Sequence, residues 1–343
     1  MTDIKSLLVP ELVMEMKQAG QPAFRAKQIF SWLHRPCESF QEMSNISKEF
    51  RAFLENNYYI TVPGILRRQV SQIDGTIKYL WRLTDGNSVE SVLMKYHHGN
   101  SVCISSQVGC RMGCRFCAST LDGLTRNLTA SEMLDQIYRI SKDTGERVSN
   151  VVVMGTGEPM DNYDNLIRFI RLLTDENGLN ISQRNITVSS CGIVENIKRL
   201  ADENLAITFA LSLHGVTDEK RRELMPIANK YSISELMDVC RYYFDKTGRR
   251  VTFEYSLVRG VNDTDEDAKG LIALAGSVKA HVNLIPVNPI KERNYLETQH
   301  EAVVAFKNKL EKSRINVTIR REMGRDINGA CGQLRKKKMD ESI

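Results

Sequence analysis

The residues best suited to chemistry are three cysteines spaced as Cys110-x3-Cys114-x2-Cys117. Thiolates on so short a segment suit soft metals, either zinc or an iron–sulfur cluster. A structural zinc site takes four protein ligands, usually as two pairs on separate loops, and no second pair follows here. Three ligands leave one metal position open. The spacing therefore favours an iron–sulfur cluster whose remaining iron binds substrate, with zinc as the alternative.

The composition excludes several other classes of protein. The chain has 343 residues, of which 42% are hydrophobic and 26% charged, as in a soluble globular protein rather than a disordered one. No stretch approaches the roughly 18 uninterrupted apolar residues of a membrane span, and the N-terminus lacks the pattern of a secretory signal. We therefore expect a cytoplasmic protein without membrane attachment, whose eight cysteines are not a disulfide framework.

The spacing of apolar residues divides the chain into three predicted parts. Residues 1–60 have helical spacing and predict a small N-terminal helical domain. Residues 61–100 contain β-rich runs next to Asp-Gly pairs at 74–75 and 85–86, which predict a β-meander linker. Residues 101–343 alternate strand and helix patterns and form the predicted core. Its strands are predicted at 101–106, 150–155, 185–190, 206–213, 251–258, 281–287 and 316–322, and helices at 130–142, 162–173, 232–245, 265–279 and 298–313.

Repeated βα units predict an α/β fold with a parallel sheet, as in a closed or partial TIM-type barrel. In such barrels active sites form at the C-terminal ends of the strands. Small or polar residues follow the predicted strands repeatedly, which leads us to expect them at one rim. They are the cysteine motif after the first strand, GTGEP (155–159) after the second, Ser189 and Ser190 ending the third, SLH (212–214) after the fourth and Asn288 after the sixth.

The cysteine motif is the signature of the radical S-adenosylmethionine (SAM) superfamily, which the sequence resembles. The segments CISSQVGCRMGCRFCAS, RNLT, MGTGEPMDN, SLH and NGACGQL narrow the resemblance to the adenine-C-2 RNA methyltransferases known as RlmN, relatives of the Cfr resistance methyltransferases. FRAKQIFSWLH and FQEMSNISKEFR are similar to that family's small helical domain. The resemblance covers nearly the whole chain and implies the partial barrel of the radical SAM class.

The resemblance also assigns cofactors and their ligands. Cys110, Cys114 and Cys117 would hold a 4Fe-4S cluster, whose fourth iron is chelated by the amino and carboxylate groups of SAM. Gly157 would let the backbone approach SAM closely, and the Glu158 carboxylate suits the ammonium group of SAM. The remaining SAM contacts implied by the family match Ser189, Ser212, Leu213, His214 and Asn288.

By the same resemblance, Cys331 is a methyl carrier. Adenine carbon 2 is not nucleophilic, so direct transfer from a sulfonium is chemically poor. In the family one SAM methylates this cysteine, and a second is cleaved to a 5′-deoxyadenosyl radical that takes hydrogen from the methyl group. The methyl carbon then adds to adenine and gives a covalent protein–RNA adduct. Cys103 attacks the Cys331 sulfur to release the product as a disulfide forms, and Glu90 matches the base that deprotonates carbon 2.

Without the resemblance, several of these residues have simpler interpretations. Cys103 alternates with apolar neighbours and would be a core residue, Glu90 an exposed strand carboxylate, and His214 a structural histidine. A basic, glycine-rich surrounding makes a reactive thiol at Cys331 plausible. The cysteines that match no family role are assigned to packing, and they are Cys37, Cys191 and Cys240.

The charge distribution is consistent with an RNA substrate. The net charge is only +5, but residues 312–338 contain nine Lys or Arg and two Asp or Glu, which suits contact with a phosphate backbone. Arg111, Arg115 and Arg126 flank the cluster motif. The resemblance implies two substrates, 23S rRNA at the peptidyl transferase centre and the tRNA adenosine beside the anticodon. It also implies a flavodoxin- or ferredoxin-type electron donor, and we expect a monomer.

Other functions remain open at this point. Glu158-Pro159 resembles the carbon-2 enzymes, whereas relatives that modify carbon 8 tend to have Glu-Ala, so a carbon-8 methyltransferase is one alternative. A radical enzyme acting on a small molecule is another. A non-catalytic, zinc-stabilised RNA-binding protein is the third, and it would need Cys103 or His98 as a fourth ligand.

Overall fold

The N-terminal part of the computed structural model, which describes residues 1–334, is helical as predicted. It contains α1 (Val9–Gln18), α2 (Phe24–Leu33) and α3 (Lys48–Asn57). Two short parallel strands, β1 (Thr2–Asp3) and β2 (Tyr58–Tyr59), join its two ends. Its core is made of fully buried side chains such as those of Leu12, Phe30 and Leu54. The division of the chain into domains stays a prediction.

Twelve further strands follow in the part of the chain that the structure describes. In chain order they are β3 (Gly64–Val70), β4 (Ile77–Arg82), β5 (Ser88–Tyr96), β6 (Gly99–Ile104), β7 (Gln107–Gly109), β8 (Leu124–Asn127), β9 (Val148–Val153), β10 (Ile186–Ser190), β11 (Thr208–Ser212), β12 (Thr252–Leu257), β13 (His281–Pro286) and β14 (Val317–Ile319). The strands β7 and β8 pair only with each other, and the other ten form one sheet in the order β14-β13-β12-β11-β10-β9-β6-β5-β4-β3.

The sheet has a parallel and an antiparallel part. The seven neighbouring strands from β14 to β6 in this order are parallel to one another. They are the seven predicted strands of the core, with ends shifted by up to three residues. The predicted meander is also present, as β3 to β6. However, it is continuous with the core rather than a separate linker, because β6 pairs with both β5 and β9. Within residues 1–334 the sheet does not close, so the fold is a partial barrel.

The helices that alternate with the parallel strands begin at well-defined caps. The side chains of Thr129, Ser232 and Thr264 each accept a hydrogen bond from the amide three residues on, within a capping box. Besides the helices predicted with bounds, α6 and α7 also lie between predicted strands. In residues 1–334 these helices are α4 (Ala130–Thr144), α5 (Tyr163–Thr174), α6 (Val194–Asp202), α7 (Asp218–Leu224), α8 (Ile233–Thr247), α9 (Asp265–Ser277) and α10 (His300–Lys312).

The two faces of the sheet have different surroundings. In β12, Phe253, Tyr255 and Leu257 belong to the main hydrophobic core, whereas Glu254 and Ser256 line a cavity on the other face. This alternation follows from the two-residue period of a strand. One face therefore holds the helices by apolar contact, and the other is available for polar chemistry.

A buried polar cluster attaches the N-terminal part to the core. The Nζ of Lys5 contacts the Oδ1 of Asp135 on α4 at 2.5 Å and donates to the carbonyl oxygen of Thr61 at 2.9 Å. The Thr61 hydroxyl donates to the other oxygen of Asp135. Burial raises the pKa of the Asp135 carboxyl, although Lys5 and Thr61 act in the opposite direction. The carboxylate is therefore stable in this position only because its partners are present.

Replacing Lys5 by methionine tests this attachment. Lys5→Met leaves the Asp135 charge buried without its cation, and we expect the free energy of unfolding to fall by about 3–5 kcal/mol. The control is Lys95→Met, which removes an exposed pair with Glu146 and should cost less than about 1 kcal/mol. Denaturant titration measures both. Equally small losses in the two variants would show that the buried pair does not attach the N-terminal part.

Candidate active site

The loop with the three cysteines begins directly after β7 and is closed by β8. Gly109 has φ +77°, and a Cβ at this position would lie 1.9 Å from the carbonyl oxygen of Gly123, so only glycine fits. The Cys110 amide donates to that same carbonyl oxygen at 3.1 Å. Farther along, the Arg115 amide donates to the Leu224 carbonyl oxygen at 2.9 Å. The first of these bonds joins the two ends of the loop, and the second fixes its middle.

Cys110, Cys114 and Cys117 line one cavity at the C-terminal ends of the parallel strands, as predicted. Burial raises the pKa of all three thiols, to about 12 for Cys110. Thiols in such a site stay protonated unless a positive partner binds them. The wall beside them is apolar and includes Met112, Phe116, Met225, Val258 and Val287.

This donor set fits an iron–sulfur cluster better than a single zinc ion. Within residues 1–334, no three His, Cys, Asp or Glu side chains form a group that could hold one metal ion. A cluster does not require such a group, because each thiolate binds a different iron. The fourth ligands considered for zinc do not line the cavity, since His98 lies in an exposed turn and Cys103 lines a neighbouring cavity.

Gly157 and Glu158 follow β9 and line the same cavity. Gly157 has φ +111°, and a Cβ there would lie 2.7 Å from the Cβ of Gln107, so the close approach of the two segments requires glycine. The Glu158 carboxylate accepts hydrogen bonds from the amides of Met160 at 3.0 Å and Cys191 at 2.8 Å. Burial raises the pKa of Glu158, and these bonds oppose the rise. The carboxylate is therefore held in one orientation at the rim.

The next strands contribute Ser189, Ser212 and His214 to the cavity. The two serine hydroxyls lie 3.3 Å apart. The His214 Nδ1 accepts a hydrogen bond from the Ser256 amide at 2.9 Å, and burial lowers the pKa of His214 to about 3. The imidazole is therefore neutral, and its Nδ1 serves as a hydrogen-bond acceptor within the protein. Leu213 is different, because its side chain is buried in the main core and does not line the cavity.

A second, smaller cavity adjoins the first and contains Cys103. Cys331 lines both cavities, and so do Asn288 and Arg320. The Asn288 Nδ2 donates to the Cys331 carbonyl oxygen at 3.0 Å. Burial and the neighbouring Cys331 thiol raise the pKa of Cys103, to about 12, although the Arg320 guanidinium acts in the opposite direction. Two thiols and two arginines, Arg320 and Arg321, therefore line this cavity.

Glu90 lies on β5 and is buried, not exposed as its sequence context alone indicates. Its Oε1 is 3.4 Å from the Nζ of Lys78 on β4, and Lys78 donates to the carbonyl oxygen of Asn328 at 3.1 Å. The strand register places Glu90 on the same face as Val92, which is paired with Cys103. Glu90 is thus linked through Lys78 to the segment that precedes Cys331.

Two charged residues of the site were missed by the sequence analysis. Glu254 is buried in β12, and its Oε2 has no hydrogen-bond partner within residues 1–334, although the Arg320 Nη1 lies 3.7 Å away. The sequence feature that could have identified Glu254 as a site residue is that it is the only acidic residue in the largely apolar run VTFEYSLV. Arg320 directly follows β14 in the structure, whereas the predicted strand 316–322 includes Arg320, so its position at the rim was not apparent from the sequence.

The remaining cysteines and arginines are placed as follows. Cys37 and Cys240 pack in the core, as predicted. Cys191 also packs against apolar residues, but it lines the first cavity as well.

Two of the arginines near the cysteine motif form ion pairs. Arg111 pairs with Asp161, and Arg126 pairs with Asp85 and Glu132. The end of the basic segment, residues 335–338, lies outside the described residues.

No helix in the described part of the chain is both long and apolar enough to cross a membrane.

Two family models match the sequence. The model described as "Radical SAM superfamily" matches residues 104–272, and that described as "Ribosomal RNA large subunit methyltransferase N-terminal domain" matches residues 2–60. The superfamily implies SAM and a 4Fe-4S cluster as cofactors.

Individual proteins are similar over nearly the full length. Proteins named "Probable dual-specificity RNA methyltransferase RlmN" from Lachnospira eligens and Lachnoclostridium phytofermentans are 67% and 61% identical, over 99% of this chain and 98% and 96% of their own lengths. The crystal structure of a radical SAM methyltransferase from Sphaerobacter thermophilus aligns with a TM-score of 0.92 and 42% identity, over 97% of this chain and 99% of that chain. The chain therefore belongs to the RlmN family of RNA methyltransferases, within the radical SAM superfamily.

Proposed function

We propose that this protein methylates carbon 2 of an adenosine in RNA, with Cys331 as the methyl carrier. The observation that supports this most directly is the position of Cys331, which lines the cavity of the three-cysteine motif and also the cavity of Cys103. One thiol therefore faces both the space available for SAM and a second thiol. The names of the two relatives, dual-specificity RNA methyltransferases, support RNA as the substrate.

In this proposal Cys110, Cys114 and Cys117 are the three ligands of the cluster. When bound, the cluster supplies the electron that cleaves SAM and thereby starts the radical reaction. The protein contributes a dry site, because Met112 and Phe116 form part of its apolar wall and exclude water that would compete for reactive species.

We assign the binding of SAM to the rim residues. The Glu158 carboxylate, already fixed by two amides, accepts the ammonium group, and the Gly157 backbone lies close by. Ser189, Ser212, His214 and Asn288 line the rest of the cavity and contribute polar contacts. We assign no side-chain contact to Leu213, because its side chain lies in the core.

Two SAM molecules are consumed per methylation in this scheme. The first would methylate the Cys331 sulfur, and the second would supply the radical that removes a hydrogen atom from that methyl group. The resulting carbon radical would add to adenine carbon 2, and the adduct would then give its unpaired electron to the oxidised cluster and its carbon-2 proton to a base. The Cys103 thiolate attacks the Cys331 sulfur, the bond from that sulfur to the transferred carbon breaks, the carbon takes up a proton to become the methyl group, and a disulfide forms. Arg320 assists, since its cation favours the thiolate form of Cys103.

We propose Glu90 as the base that removes the proton from adenine carbon 2. Its burial, its pair with Lys78 and its position on the same face as the partner of Cys103 are consistent with this role. Lys78 also holds the carbonyl oxygen of Asn328, three residues before the methyl carrier. A base in this position is commonly worth about 10²–10⁴-fold in rate.

We infer the macromolecular partners from the family. The proposed substrates are 23S rRNA at the peptidyl transferase centre and the tRNA adenosine beside the anticodon, with a flavodoxin- or ferredoxin-type protein as electron donor. We also propose that the protein is a monomer located in the cytoplasm. Arg115 is exposed beside the cluster loop and is available for phosphate, and an adenine buried in folded RNA must be unstacked to reach Cys331.

Analysis of the modified nucleoside tests the proposed position of the methyl group. The anaerobically prepared protein, loaded with iron and sulfide, is incubated with SAM, a low-potential reductant and either rRNA fragments or tRNA. Mass spectrometry of the digested RNA should find 2-methyladenosine. Detection of 8-methyladenosine would favour the carbon-8 alternative, and a protein that carries zinc and leaves the RNA unchanged would contradict catalysis altogether.

Removing the second thiol tests its role in product release. Cys103→Ala keeps Cys331 but lacks the group that attacks it, so we expect a covalent protein–RNA adduct to accumulate, seen as a slow band on a denaturing gel. The control is Cys37→Ala, which alters a buried cysteine of the N-terminal part and should release product normally. A Cys103→Ala variant that turns over without adduct would exclude Cys103 as the resolving thiol.

A further inference from the structure

Arg221 is a buried cation that the chemistry proposed above does not use. It lies on α7, is 0% exposed, and its Nη2 donates to the carbonyl oxygen of Cys191 at 2.5 Å. Within residues 1–334, its Nε and Nη1 have no hydrogen-bond partner. Buried polar groups without partners are rare in folded proteins, and a buried charge without a counter-charge is especially unfavourable. The position of Arg221 therefore needs an explanation.

The electrostatic surroundings of Arg221 point to the thiols. Burial lowers the pKa of Arg221, and the groups that act against this are, in order, Cys191, Cys114 and Asp218. The two cysteines, both of which line the first cavity, thus act more strongly than the one carboxylate.

The local fold holds Arg221 next to the cysteine loop. The helix that carries it ends at Leu224, whose carbonyl oxygen accepts the hydrogen bond from the Arg115 amide. Glycines make room for the side chain and its helix. A Cβ at Gly192 would lie 3.1 Å from the Nη2 of Arg221, and one at Gly215 would lie 2.8 Å from its backbone nitrogen. Glycine at these two positions therefore leaves space for Arg221 and its helix.

We infer that the guanidinium of Arg221 is the buried counter-charge of the thiolate-ligated cluster and raises the potential at which the cluster accepts an electron. This inference rests on the proposed function, because it requires Cys114 to be a cluster ligand. Three thiolates outweigh the positive charge of the cluster core, so the ligated cluster is an anion. Reduction adds one electron, supplied by the low-potential donor, and makes it more negative. A fixed cation in a low-dielectric site stabilises the reduced form more than the oxidised form.

The reduction potential of variants at this position tests the inference. Arg221→Met removes the charge at similar volume, Arg221→Lys keeps it, and Arg222→Met changes the next residue, which is exposed and paired with Glu219. Each protein is reconstituted anaerobically, assayed for iron and sulfide, and titrated with EPR detection. At a fixed potential the ratio of reduced to oxidised cluster should fall roughly tenfold in Arg221→Met, about 59 mV for one electron. Arg221→Lys and Arg222→Met should behave like the wild type.

Stability provides a second readout that does not depend on activity. Without the cluster, Arg221→Met should be at least as stable as the wild type, because an uncompensated charge has been removed. Loading the cluster should raise the midpoint of thermal unfolding more in the wild type than in this variant. A residue with only a packing role would show neither behaviour.

The possible outcomes separate this inference from the proposed function. If Arg221→Met loads the cluster and keeps the wild-type potential, the inference is wrong while the cluster assignment stands. If Arg221→Met fails to load but Arg221→Lys loads, the requirement for charge is supported, and failure of both variants would indicate packing instead. A wild-type protein that binds no iron would overturn the proposed function itself.

Discussion

The hydrogen bonds that hold the segment around Cys331 between two cavities are the constraint on which the site depends. The Gly332 carbonyl oxygen accepts from the Ala118 amide at 2.7 Å, and Asn288 holds the Cys331 carbonyl oxygen. On the other side, Lys78 and Asp74 of the antiparallel strands and their turn hold Asn328 and Gly324. The cysteine loop, the parallel strands and the meander therefore all contribute to placing one thiol. This explains why the meander is part of the main sheet.

Buried charge is treated in two different ways in this molecule. Asp135 is compensated by Lys5 and Thr61 within the chain, and the result is attachment of the N-terminal part to the core. Two N–H groups of Arg221 have no hydrogen-bond partner among the described residues, and its helix is bonded to the loop that carries Cys114, a proposed cluster ligand. In the first case the charge is balanced within the chain, and in the second we infer that the cofactor balances it.

The sequence predicted much of this architecture because its signals are local. Two-residue alternation and Asp-Gly turns each depend on neighbours in the chain, and the corresponding strands are present. What could not be predicted depends on distant contacts. The burial of Glu90 requires Lys78 and the C-terminal segment. The continuity of β6 with β9 and the unpaired state of Arg221 likewise arise only once the sheet is assembled.

The central claim, that Cys331 carries the methyl group, is tested most directly by peptide mapping of the protein itself. The cluster-loaded protein is incubated with SAM and reductant in the absence of RNA, digested, and analysed by mass spectrometry. We expect one methyl group on the Cys331 sulfur, which is lost when RNA is added before digestion. An unmodified Cys331 in a fully loaded protein, or a methyl group that persists while RNA is methylated, would contradict it.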